Sequence, residues 1–167
     1  MKISSASKSS LAILGVISVV IVVLDQVTKA IVLKNLALHE SISVISGFFN
    51  LTHVMNPGGA FGLFAEHSPE IRKFFFLFVS SLVALMVLWL YRKVAPTHRF
   101  LSFGLAAVFA GAVGNLIDRF RFGMVVDFLD FYLGAYHWPA FNIADSAITL
   151  GMIVFVYHVV LNKVPDL

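Results

Sequence analysis

Asp118, Asp127, Asp130 and Asp145 fall within one stretch, from Gly111 to Asp145, together with Asn115, Arg119, Arg121 and Asn142. Asp127 sits in GMVVDFLDF and Asp145 in FNIADS, so each carboxylate is embedded in apolar and aromatic residues. A solvated surface charge needs no such setting, and a charge held in apolar surroundings is costly unless it is paired, hydrated or used. Two carboxylates brought together share one proton, because adjacent negative charges cannot both be retained. Such a pair can hydrolyse an amide: the ionised member takes a proton from water and the protonated member donates to the carbonyl oxygen. That chemistry requires no covalent intermediate, metal or cofactor. Two further readings of these residues stand beside it: ion pairing with Arg119 or Arg121, and a cation or proton pathway.

Other residues could support or replace this chemistry. Asn115, Asp118 and Arg119 follow at i, i+3 and i+4, placing Asn115 and Arg119 on one helix face. There they could donate hydrogen bonds to a carboxylate or a substrate carbonyl, or cap and pair the helix end. Asp25 and Lys29 are also four apart and can pair; Lys29 as the base of a serine–lysine protease would need a distinctive serine, and Ser80, Ser81 and Ser146 lack one. Asn56-Pro57-Gly58-Gly59 reads as a sharp turn, or as a loop whose bare backbone approaches an extended peptide. Ala107, Ala110, Gly111 and Gly114 fit close helix packing. The six histidines show no HxxxH or HExxH spacing, which argues against a zinc site, and the chain has no cysteine for disulfides, thiolate ligands or nucleophilic catalysis.

The elements that must hold these residues are apolar. Of 167 residues, 59% are hydrophobic and 13% charged, half the charge of an ordinary soluble domain. The expected class is a mainly α integral membrane protein in a single membrane-embedded domain over 1–167. Four runs can cross a bilayer at roughly 20 residues each: about 11–33, 74–91, 100–117 and 143–161. The first run passes Asp25 without a convincing cleavage site and reads as a retained helix. Outer loops are expected over about 34–73 and 118–142. In the first loop, Ser41–Val44 and Phe49–Thr52 alternate like short strands, predicting a small extracytoplasmic β-sheet with Phe48, Phe49 and Phe61 at the membrane surface. In the second, Tyr132, Tyr136 and Trp138 form an interfacial aromatic set on an outer surface loop. Lys and Arg crowd into the short Arg92–Arg99 connection, which orients both termini to the cytoplasm. The net charge of +3 forms no basic stripe, so no nucleic-acid partner is expected. A small carrier would want its carboxylates near the bilayer midplane, whereas these cluster at one end of the helices. A purely structural subunit leaves two apolar-flanked aspartates converging on one surface unexplained.

Five blocks, DQVTK, NPGGAFG, GAVGNLIDR, VVDF and FNIADS, occur in an order and spacing that resemble signal peptidase II, the prolipoprotein signal peptidase of bacterial membranes. The resemblance covers nearly the whole chain. It implies a four-helix aspartic peptidase with Asp127 and Asp145 as the catalytic pair, supported by Asn115, Arg119 and Asn142. It also implies that Asn56 and Gly58 touch the peptide and that Asp25 and Lys29 give structural support near the site. The family's glycine-alanine turn reads Gly58-Gly59-Ala60 here. The implied substrate is a lipid-modified prolipoprotein whose cysteine carries diacylglycerol, cut just before that cysteine in contact with membrane lipid. A globomycin-type cyclic peptide is the implied inhibitor. The implied location is the bacterial cytoplasmic (inner) membrane, with the site near its outer face.

Overall fold

The computed structural model describes residues 5–58 and 68–161, with side chains from Ser9 onward. Gly59, Ala60 and Phe61 of the predicted turn lie outside the described residues. Four helices are long and apolar enough to cross a membrane: α1 (Ser5–Asn35), α2 (Pro69–Val94), α3 (Arg99–Phe122) and α4 (Ile143–Val160). Val16, Val19 and Val23 of α1, Phe74, Phe78 and Leu85 of α2, and Leu150, Ile153 and Val160 of α4 are each more than half exposed. An apolar surface of that extent is stable against hydrocarbon, not water. The protein is an integral membrane protein.

Helix α3 is the hub, with α1, α2 and α4 all packed against it. Its small residues make this possible. A Cβ on Gly111 would run into the Ala144 carbonyl of α4, and one on Gly151 of α4 would run into the Gly104 carbonyl of α3. Both glycines are therefore required by backbone-to-backbone approach; the small-residue spacing of α3 suggested this for Gly111, and Gly151 is its counterpart on α4. Helices α2 and α4 flank α3 without close backbone approach to each other among the described residues.

Helices α1, α2 and α3 run further than their apolar cores predicted, while α4 keeps its expected limits to within a residue. Ser68 Oγ caps α2 by accepting the Ile71 N–H at 3.4 Å, with proline in the first turn. Arg72 and Lys73 thus belong to the helix and not to the preceding loop. Helix α3 continues through Asp118, Arg119 and Arg121 to Gly123, whose φ of 76° and bond to the Arg119 carbonyl end it. Basic residues in a last turn oppose the negative end of the helix dipole, so charge extends this helix where apolar content alone would stop it.

Strands β1 (Ser41–Ile45), β2 (Phe49–Asn56), β3 (Val125–Leu133) and β4 (Tyr136–His137) form one antiparallel sheet in that order. The β1–β2 hairpin lies where alternation placed it. The expected loop over 118–142 does not hold as drawn: it begins as helix and continues as β3. VVDFLDFYL is rich in the β-branched and aromatic residues that suit a strand, and it finds its partner in β2. The register sets Asn56 opposite Val125 and Val54 opposite Asp127, with a bulge between Leu51 and Val54. Phe49 stacks on Phe131 at 4.7 Å and Tyr132 on His137 at 4.8 Å, so both are engaged within the sheet. Phe48, Tyr136 and Trp138 remain exposed.

Candidate active site

Asp127 and Asp145 reach the site from different elements. Asp127 projects from β3 and is 2% exposed. Asp145 is the third residue of α4, where the helix start positions it locally. Asn142 caps α4 by accepting the Asp145 N–H at 2.9 Å, and the Asp145 Oδ2 accepts the Asn142 N–H in return at 3.3 Å. This reciprocal pair is a capping box, which fixes the carboxylate through bonds spanning only three residues.

The same Asn142 ties the two aspartates together. Its Nδ2 donates to Asp127 Oδ1 at 2.7 Å and lies 3.2 Å from both the Val126 carbonyl and Asn115 Oδ1. Asn115 Nδ2 donates to Asp145 Oδ1 at 2.7 Å. Asn56 Nδ2 donates to Asp127 Oδ2 at 2.8 Å, while its own Oδ1 accepts the Gly58 N–H at 2.9 Å. Sequence order separates the aspartates by 18 positions, yet one asparagine touches both.

Asn56 therefore acts on the carboxylate itself, a role its loop context did not indicate. Gly58, at φ 82°, packs so closely on the Phe76 ring that a Cβ would lie 3.0 Å from it. Arg119 lies above Phe76, 6.0 Å from the ring centre, within electrostatic reach of Asp145, Asp127 and Asp118. With Val79, Ser80, Val83, Ala112, Asn115, Asp145 and Ile148 it lines a cavity of about 260 Å³ between α2 and α4.

Beneath the pair, Lys29 Nζ lies 2.8 Å from Asp25 Oδ2 and 2.8 Å from Asp118 Oδ2, and it donates to Asn115 Oδ1 at 3.1 Å. All three side chains are at most 2% exposed. Gln26, which sequence reasoning passed over, has its Nε2 3.0 Å from Asp118 Oδ1 and 3.1 Å from Asp25 Oδ2. A polar residue inside a spanning helix was the available signal. The ion pairs among the described residues are Lys29 with Asp25 and Lys29 with Asp118, and the His137 ring nitrogen Nδ1 lies 2.8 Å from Asp130 Oδ1. Asp118 and Asp130 are thus absorbed elsewhere, while Asp127 and Asp145 pair with neither Arg119 nor Arg121.

Burial, reinforced by the nearby Asp145 charge, pushes the Asp127 carboxyl up to about 6 despite the opposing hydrogen bonds from Asn56 and Asn142 and the charge of Lys29. A carboxyl that keeps its proton near neutrality, beside a second carboxyl held by neutral donors, can divide acid and base roles.

The chain matches the family model for signal peptidase (SPase) II over residues 17–161. It is 80% identical over 154 residues to a lipoprotein signal peptidase of Desulforapulum autotrophicum, covering 92% of this chain and 95% of the relative. It is 47% identical over 140 residues to one from Syntrophus aciditrophicus, covering 84% and 87%. A bacterial membrane enzyme solved by the in meso method at 2.3 Å superposes with a TM-score of 0.79 at 33% identity, over 93% of this chain and 90% of that one. The family match begins inside α1 and runs to the last described residue, so that every element holding the paired aspartates falls within it: the chain belongs to the signal peptidase II family.

Proposed function

We propose that this protease is an aspartic endopeptidase of the bacterial inner membrane. It removes the signal peptide from diacylglyceryl-modified prolipoproteins, cleaving before the lipidated cysteine with water activated by Asp127 and Asp145. The observation that carries this reading is Asn142 bonded to both aspartates, neither of them consumed by an ion pair. Asp127 holds the shared proton and Asp145 acts as the base. Water loses a proton to Asp145 as its oxygen bonds to the scissile carbonyl carbon, and Asp127 protonates the carbonyl oxygen. Collapse of the tetrahedral intermediate breaks the C–N bond: the proton held by Asp145 passes to the departing amine, and one hydroxyl of the intermediate returns its proton to Asp127 as the carboxylic acid forms, which restores the starting pair.

The remaining residues divide by position. Asn142, Asn115 and Asn56 orient the carboxylates, and Asp25 and Lys29 brace them from below. Arg119, at the cavity between α2 and α4, faces the substrate backbone, and Gly58, seated on the Phe76 ring, brings the bare backbone of the outer loop to the peptide. Asp145 in the first turn of α4 and Asp118 in the last turns of α3 put the cluster at one end of the helices. A carrier would set such groups near the midplane; a peptidase cutting at the outer face, with both termini cytoplasmic, needs them here. A cyclic peptide of the globomycin type would compete for this same place.

The test is cleavage by the purified chain of a diacylglyceryl-modified prolipoprotein, with the unmodified precursor in parallel and the new N-terminus read by mass spectrometry. Cleavage of the modified precursor alone, leaving the lipidated cysteine first, is expected. Inertness toward it, or a cut elsewhere, would overturn the reading.

The pH dependence follows from the shared proton. As pH rises through about 6, the raised Asp127 carboxyl ionises and the acid is lost. On the alkaline side kcat/KM should therefore fall about tenfold per pH unit, with an apparent pKa near 6 belonging to the pair. A rate profile flat between pH 5 and about pH 8 would remove Asp127 as the acid.

A further inference from the structure

Each carboxylate of the buried Asp25–Lys29–Asp118 group holds more than the lysine. Asp25 Oδ1 accepts the Ala144 N–H at 2.9 Å, and Ala144 immediately precedes Asp145. Asp118 Oδ2 accepts the Val126 N–H at 3.1 Å, and Val126 immediately precedes Asp127. The backbone leading into each paired aspartate is thus gripped by one carboxylate, and Lys29 joins the two carboxylates at 2.8 Å each. The ammonium has three protons and three acceptors, the third being Asn115 Oδ1, so its position is fully determined.

Gln26 Nε2 lies within 3.2 Å of Asp25, Asp118 and the Gly114 carbonyl, joining the same carboxylates a second time. Gly114 leaves the necessary room, since a Cβ there would stand 2.8 Å from Asp25 Oδ2. One ammonium meets two carboxylates, and pairing alone would need one aspartate, so the second answers to geometry.

We infer that Asp118, Lys29 and Asp25 form a strut of fixed length that sets the separation of Asp127 and Asp145, with Asp118 and Gln26 as positioning residues. The strut rests on the peptidase reading for its purpose, but not for its existence. The aspartates sit on a strand and a helix, joined in front by the Leu129–Phe141 backbone bridge but not fixed by it at the carboxyls, and reaction geometry tolerates displacements well under an ångström. Asn142 spans the pair from the chemical side, and the strut spans it through the backbones behind.

The discriminating change is Asp118→Glu, which keeps the charge and lengthens the strut by one methylene. Cleavage kinetics of wild type, Asp118→Glu, Asp118→Asn and Gln26→Met would be measured in detergent, alongside an infrared titration of the carboxyl band lost in Asp127→Asn. That band reads the Asp127 midpoint whether or not the protein turns over. The charged groups that act on Asp127 are Asp145 from α4, Lys29 from α1 and Arg119 from α3. Drawing Asp127 away from Asp145 weakens the repulsion that favours its proton, so the midpoint moves down.

Asp118→Glu is expected to lower kcat about tenfold or more, keep KM within about threefold, and lower the Asp127 midpoint. Gln26→Met, a milder change for use if the Asp118 variants fail to fold, should lower kcat about three- to tenfold. Wild-type kcat and midpoint in Asp118→Glu, or unchanged kcat in Gln26→Met, would overturn the strut. A wild-type protein inert on the lipidated precursor would overturn the peptidase reading instead, while the titration would still judge the strut: a lowered Asp118→Glu midpoint supports it and an unchanged one does not.

Discussion

Replacing Asp127 or Asp145 with asparagine is expected to lower kcat for prolipoprotein cleavage by about 10³-fold or more while leaving the protein folded. Asparagine preserves size and an acceptor oxygen but can neither take a proton from water nor pass one to the carbonyl. For Asp127 the stability arithmetic favours survival of the fold. The folded protein holds this proton more tightly than an unfolded chain does, so the carboxyl supports the fold at low pH and opposes it increasingly as pH rises from about 4 to about 6. By pH 8 that opposition is on the order of 3 kcal/mol. Asparagine escapes it but turns one amide group toward the Asn56 or Asn142 donor, at a cost of about 1–3 kcal/mol. The Asp127→Asn variant should therefore unfold no earlier than wild type at pH 8, and lose that standing below about pH 5. A gel-shift assay checks turnover and a thermal melt at two pH values checks the fold. Near-normal turnover by either asparagine variant would break the two-carboxylate mechanism.

Lys29→Met should act on the opposite quantity. Methionine fills the space of the lysine stem, but it leaves Asp25 and Asp118, at most 1% exposed, facing each other without a cation. Removing one partner of a buried ion pair costs about 3–5 kcal/mol, because the remaining charge has no water to turn to. The expected result is a large fall in the thermal midpoint, or failure to accumulate in the membrane. Adding Asp118→Asn to Lys29→Met should recover part of the loss, since one uncompensated carboxylate is then left instead of two; the difference is the coupling that a double-mutant cycle reads. Equal stability of Lys29→Met and wild type would mean that the buried charges contribute little to holding the bundle.

Asp127 and Asp145 stood out because their surroundings made no sense for ordinary surface charges, and the four helices because each apolar run spans a bilayer. The limits of those helices were not legible. Arg72, Lys73, Asp118, Arg119 and Arg121 look like loop residues in a hydropathy reading, but a helix end at a membrane boundary accepts charge, and the dipole of α3 favours arginine in its last turn. Strand β3 was missed for a related reason. Its two aspartates suggested an outer loop, while the strand forms because β2, some seventy positions earlier, offers a paired edge. The partners of Asp118 were hidden by distance along the chain: Arg119 and Arg121 are near in sequence, yet Lys29 and Gln26 of α1 meet it. Local chemistry marks a residue as unusual, and long-range packing decides what satisfies it.

The gap between α2 and α4 has a kinetic meaning. Val79 and Val83 on one side and Ile148 on the other lead toward Asp145 from the side of the bundle, so a membrane-anchored precursor can meet the aspartates by moving laterally. Its encounters are then counted per unit of bilayer area. Mole fraction in lipid or detergent, and not molarity in the tube, becomes the variable that saturates the protein. Diluting the same amounts of protein and precursor with empty micelles should slow cleavage as surely as removing precursor, while adding buffer at constant micelle number per protein should change little.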